Sequence, residues 1–158
     1  MRGLTWLGNH YTWWMHTAAV AYFFGWLPAA LLGGGSGAAA LVAQAIKRSV
    51  RRRRPNVGLL EFQASSENPD KFSFPSGHSS GAFGAAIAVA FVAPVVGAIY
   101  GVLAIGIAFS RLYLGAHYPL DVAAGVLVGI VSGWASAETI IWAWPHLIET
   151  LGLSGILA

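Results

Sequence analysis

The sequence predicts an all-α, integral-membrane helical bundle of about five transmembrane helices, with its polar chemistry gathered at one membrane face. Composition is the first reason. Of 158 residues, 56% are hydrophobic and 9% are charged, with a mean hydropathy of +0.63, whereas a soluble domain carries about 25% charged residues. Segmentation is the second: long apolar stretches alternate with short Gly- or Pro-marked breaks. Charge placement is the third. Six of the nine Lys and Arg residues fall within Lys47–Arg54, and the others are Arg2, Lys71 and Arg111. In so apolar a chain, such a cluster points to anionic lipid or phosphate rather than nucleic acid. The absence of cysteine excludes disulfides, thiolate metal sites and cysteine nucleophiles.

Residues 1–16 hold Trp6, Trp13 and Trp14 close together, and Trp prefers the membrane–water boundary, so this stretch reads as an interfacial segment. Arg2 and the Trp- and His-rich residues after it do not form a cleavable signal, so the whole chain is expected to be mature. A first span is expected from about Tyr11 to Leu32, kinked at Pro28. The run Gly33-Gly34-Gly35-Ser36-Gly37 reads as a tight turn, and Ala38–Ile46 as a short second span entering the basic cluster. Residues 55–76, with Glu61, Glu67, Asp70 and Lys71, form the one long polar stretch and read as a surface loop beside the site. Three further spans are expected at Gly77–Ala93, Val95–Leu112 and Leu120–Trp144, with residues 145–158 as a tail. Gly125 and Gly129 have the spacing of close helix packing within the chain. All 158 residues are assigned to one membrane domain.

If the spans alternate in direction, the N-terminal segment, residues 47–76 and the 111–120 turn share one face. Every Lys and Arg then lies on that side, as a site for a multiply charged anion requires; the positive-inside rule produces the same asymmetry. Three stretches stand out there. Lys47 and Arg54-Pro55 bring cations to the end of the second span, and Arg can clasp phosphate oxygens in bidentate fashion. Ser76-Gly77-His78 opens a helix, where free N–H groups favour an anion and Gly77 permits close approach. Arg111 adds a cation from another helix end. His117 and Asp121 are four apart, so Asp121 can hold one imidazole nitrogen and leave the other free to attack. Each piece alone has a plainer reading: a snorkelling basic face, a helix cap, an ordinary His–Asp hydrogen bond. A metal site would need Glu61, Glu67 or Asp70 to fold in from the loop.

Together, KRSVRRRRP, PSGH and SRLYLGAHYPLD resemble the three-part signature of the type-2 phosphatidic acid phosphatase superfamily, over residues 47–121 and with every signature position filled. The resemblance implies an all-helical bundle with its active site between helices at the membrane surface. It implies that His117 is the nucleophile, forming a phosphohistidine, that Asp121 orients it, and that His78 protonates the leaving oxygen and then activates water. Lys47, Arg54 and Arg111, joined by Ser76 and the Gly77 backbone, would bind the phosphoryl oxygens. No metal or other cofactor is implied. Membrane members have six spanning helices, and this chain departs from them with five and a stub at residues 1–16. The extra arginines, Arg51, Arg52 and Arg53, fit a second phosphate or anionic lipid, with lipid favoured.

The expected partners are therefore a lipid phosphate substrate and membrane lipids. A polyprenyl diphosphate is the leading substrate, with phosphatidylglycerol phosphate or phosphatidic acid as alternatives. The soluble haloperoxidases of the same superfamily are disfavoured by so short and apolar a chain. A catalytically silent lipid-binding protein is expected to lose His78 or His117, and both are present.

Overall fold

A computed structural model of the chain describes residues 1–54 and 72–152. The expected loop therefore lies outside the described residues from Pro55 to Lys71, as do the candidate metal carboxylates Glu61, Glu67 and Asp70.

Among the described residues there are six helices: α1 (Arg2–Leu7), α2 (His10–Phe24), α3 (Trp26–Val50), α4 (Gly77–Ala90), α5 (Pro94–Tyr113) and α6 (Pro119–Thr150). Three of them, α3, α5 and α6, are long and apolar enough to cross a membrane; α2 and α4 are shorter, at 15 and 14 residues. Trp13, Val20, Leu32, Val89 and Ile107 belong to the main buried cluster, while Leu31, Ala88 and Ala137 form a second between α3, α4 and α6. The outer surface is apolar as well, with Leu41 74% and Val102 73% exposed. A surface of this kind is stable where the surrounding solvent is lipid. The protein is a membrane bundle.

The glycine run makes no turn. It lies inside α3, and the turn sits earlier, at Gly25, whose φ of +92° ends α2 and opens α3. Packing explains the difference. A Cβ at Gly34 would lie 2.5 Å from Ile140 Cδ1 on α6, and one at Gly35 would collide with the Gly84 carbonyl on α4. These glycines are needed for close approach between helices rather than for a bend. The expected Tyr11–Leu32 span is thus two helices. Pro28 kinks neither, because it sits in the first turn of α3, where an N–H has no intrahelical partner anyway.

The expected tail at 145–158 also differs. Helix α6 runs through Pro145 to Thr150, and at 32 residues it is roughly 48 Å long, beyond a hydrocarbon core of about 30 Å. Gly125 and Gly129 do pack within the chain, with α6 lying against the Ser76 and Ser80 carbonyls of the α4 end. These close contacts fix α4 at the centre, with its N-terminus at the same end as the C-termini of α3 and α5 and the start of α6.

Candidate active site

All eight residues singled out from the sequence lie at that one end. Lys47 is buried near the end of α3, Arg54 is buried just beyond it, and Arg111 is fully buried in the last turn of α5. Helix α3 stops because Arg51 adopts a left-handed conformation, φ 52°, with its N–H donating to the Lys47 carbonyl at 3.0 Å. The chain then folds back. Arg53 and Phe72 form an antiparallel bridge, and the Ser73 N–H donates to the Arg52 carbonyl at 2.8 Å. This hairpin-like pairing brings Arg54 and Ser73 to opposite sides of His117.

His117 is held through both ring nitrogens. Its Nδ1 is 2.7 Å from the Ser73 carbonyl oxygen, and its Nε2 is 3.2 Å from an Arg54 guanidinium nitrogen that also donates to the Ala116 carbonyl at 3.0 Å. The imidazole and Asp121 meet at ion-pair rather than hydrogen-bond distance. Asp121 Oδ2 stands 3.8 Å from Nδ1, because that oxygen accepts the Tyr118 N–H at 2.9 Å while Oδ1 accepts from Arg52 at 2.8 Å. The first contact is half of the capping box that starts α6 at Pro119. Burial holds the His117 imidazole below the ordinary histidine range; the Asp121 carboxylate opposes this, and the charges of Arg54, Arg111 and Lys47 add to it.

Ser76 caps α4, its Oγ accepting from the Ser79 hydroxyl at 2.9 Å and the Ser79 N–H at 3.4 Å. Its own N–H donates to the Asp121 carbonyl at 2.8 Å, which ties the start of α4 to the start of α6. Gly77 faces Lys47: a Cβ there would sit 3.6 Å from Lys47 Nζ. His78 lines the same cavity as Lys47 and Gly77, with Nε2 2.9 Å from Asn9 Oδ1.

A cavity of about 420 Å³ opens from Lys47, Gly77 and His78 and runs between α2 and α3, past Trp13, to Gly37 and Gly33. From Lys47 to Gly33 it descends 14 residues of α3, roughly 21 Å. Chemically, the end of the bundle presents three cations, a helix N-terminus and two imidazoles to an anion, above an apolar trench. Among the described residues no three His, Asp or Glu side chains are grouped as metal ligands.

Sequence reasoning missed Ser73, Arg52 and Asn9. Ser73 acts through its backbone carbonyl, which any residue could supply. Arg52 lay in a basic run without distinguishing marks; its guanidinium sits on Asp121 and 4.2 Å over the Tyr118 ring, so it has a protein partner where lipid was favoured. Asn9 had one usable signal, a helix-capping residue type at the start of α2.

The chain is similar to known proteins in both sequence and fold. The model of the PAP2 superfamily matches residues 28–145. Decaprenylphosphoryl-5-phosphoribose phosphatase of Mycobacterium tuberculosis is 35% identical over 142 residues, covering 84% of this chain and 74% of the relative. Among solved structures, Aquifex aeolicus LpxE superposes with a TM-score of 0.74 at 26% identity, covering 87% of this chain and 82% of that one. A PAP2-type phosphatidylglycerolphosphate phosphatase of Bacillus subtilis superposes with a TM-score of 0.68 at 26% identity, covering 87% and 73%.

Proposed function

The chain belongs to the PAP2 superfamily, and from that premise we propose that it is a membrane phosphatase acting on the phosphate monoester or diphosphate of a polyprenyl lipid. One observation carries the lipid part: the cavity that begins at Lys47, Gly77 and His78 continues as an apolar trench between α2 and α3. A phosphate held at its head leaves its hydrocarbon chain running down the bundle, shielded from water.

The chemistry follows from the imidazole geometry. A carbonyl oxygen only accepts, so the Ser73 contact keeps a proton on His117 Nδ1 and leaves the lone pair on Nε2. Nε2 attacks phosphorus, the bond from phosphorus to the lipid oxygen breaks, and that oxygen takes a proton from His78. The products are the lipid alcohol, or the lipid monophosphate from a diphosphate, and a phosphohistidine. Water then attacks phosphorus and gives its proton to His78. The P–N bond breaks, its electron pair returns to Nε2, and inorganic phosphate leaves. Lys47, Arg54 and Arg111, with Ser76 and the Gly77 N–H, neutralise the phosphoryl oxygens, and positioning with charge stabilisation supplies most of the rate. Asp121, 3.8 Å from Nδ1, stabilises the positive imidazole ring through space.

Purified protein in detergent is expected to release phosphate from a polyprenyl phosphate or diphosphate, and His117→Ala to lower that rate by about three orders of magnitude or more. Equal release by the two proteins rules the assignment out. The likeness to the phosphatidylglycerolphosphate phosphatase favours a second reading, a glycerophosphate headgroup, and kcat/KM over a panel of both lipid classes decides between them.

A further inference from the structure

The N-terminal turn bears on His78 in a way that neither the helix ends nor the signature motifs explain. Asn9 stands at the N-cap of α2 with extended backbone, φ −71° and ψ 148°, yet its side chain makes no capping hydrogen bond. An Asn in that position ordinarily accepts from an amide of the first helical turn. Here its Oδ1 accepts from His78 Nε2 at 2.9 Å, across 69 residues of chain.

The turn carrying Asn9 is anchored on three sides. The Thr5 and Ser110 hydroxyls are 2.8 Å apart, joining α1 to α5 beside Arg111. Thr12 Oγ1 lies 2.8 Å from the Leu7 carbonyl and 2.7 Å from that of Asn9, bridging the break between α1 and α2. Gly8 presses on the imidazole itself: a Cβ there would lie 3.0 Å from His78 Cδ2 and 2.9 Å from Ile107 Cγ2. Backbone therefore covers one edge of the ring, and an amide oxygen holds one of its nitrogens.

We propose that Asn9 is the positioning residue for the acid–base imidazole, holding His78 as its Nε2–H tautomer so that Nδ1 carries the proton to the leaving oxygen and back from water. An amide oxygen only accepts, so it keeps a proton on Nε2 both in the imidazolium, whose Nδ1–H goes to the leaving oxygen, and in the neutral ring of the phosphohistidine intermediate, whose Nδ1 takes a proton from water. Helix α1 and the Gly8–Asn9 turn are thereby part of the active site. This assignment rests on the phosphatase reading above.

The test separates proton delivery from folding by the leaving group. A lipid alkoxide leaves only with a proton, whereas the nitrophenolate of p-nitrophenyl phosphate leaves without one. On a polyprenyl phosphate, Asn9→Ala is expected to lower kcat on the order of 10–100-fold, the scale of a misplaced catalytic group, with KM within about twofold. In the nitrophenolate burst from p-nitrophenyl phosphate, which reports the first step alone, the loss is expected to stay within about threefold, and Asn9→Asp, which keeps the acceptor oxygen, to restore most of the lipid rate. Equal losses on both substrates, or no loss on either, overturn the proposal. Nitrogen-15 NMR of the wild-type protein in micelles tests it without any variant: His78 is expected as the Nε2–H tautomer, and an Nδ1–H tautomer overturns it. If the wild type releases no phosphate from lipid, the phosphatase reading fails. If the wild type is active, His78→Ala is not, and Asn9→Ala matches the wild type, this inference alone fails.

Discussion

At His117, burial and the neighbouring cations act in the same direction, against the Asp121 carboxylate. The ring is almost wholly enclosed, and Arg54, Arg111 and Lys47 all disfavour a further positive charge, so its proton affinity lies below the ordinary value, about 6.5. For a nucleophile this is the useful sign, because the lone pair on Nε2 survives into mildly acidic solution. The same shift has a consequence for folding. The neutral ring contributes stability that is fully present above about pH 6.5 and is lost as pH falls through the lower folded value. An NMR titration of His117 in micelles, assigned with His117→Gln, is expected to give a midpoint below about 6.5; a midpoint at or above it contradicts the environment described. The His–Asp spacing identified both side chains in advance, but not how they are connected. Asp121 must cap α6 and accept from Arg52, so the Ser73 backbone takes the contact that the spacing assigned to the carboxylate.

At the scale of the element, close helix crossings decide both the fold and the errors in reading it. Four glycines in five residues signal a turn by local chemistry, and that signal was overridden by tertiary packing: Gly34 and Gly35 lie where α6 and α4 press on α3. The starts of the last three helices were legible because their signals are local. Pro94 opens α5, Pro119 opens α6 and Ser76 caps α4. The crossing predicts a contrast between two glycines. Gly84 on α4 has the Gly35 carbonyl against it, and an added Cβ would lie 2.8 Å from Ala39 Cβ, whereas a Cβ at Gly101 on α5 meets nothing within 4 Å. Gly84→Ala is expected to destabilise by about 1–3 kcal/mol through overpacking, while Gly101→Ala is expected to be neutral or to stabilise by up to about 1 kcal/mol through helix propensity. Thermal unfolding of both variants in one detergent measures the difference, and equal midpoints would show that α3 and α4 do not cross as described.

For the whole molecule, the sequence showed which end is polar, because charge and motif both collect there; it could not show what joins that end to the bilayer interior. The trench is made of absences, the missing side chains of Gly33 and Gly37 on α3 facing Trp13 and Thr17 of α2, and such a gap exists only once two helices are placed. Gly37 lies ten residues before Lys47, about 15 Å along the helix, and a Cβ there meets nothing within 4 Å. A larger side chain at this position fills the trench without disturbing the helix crossings. Gly37→Leu is therefore expected to raise KM for a long-chain polyprenyl phosphate about tenfold, the cost of displacing a few buried methylenes at about 0.8 kcal/mol each. A phosphate whose chain is too short to pass Gly37 is expected to lose much less. Steady-state kinetics across a chain-length series gives the answer: if the penalty is the same at every length, the hydrocarbon takes another path, and if it sets in only once the chain reaches Gly37, the trench carries it from the cations at Lys47 into the core of the bundle.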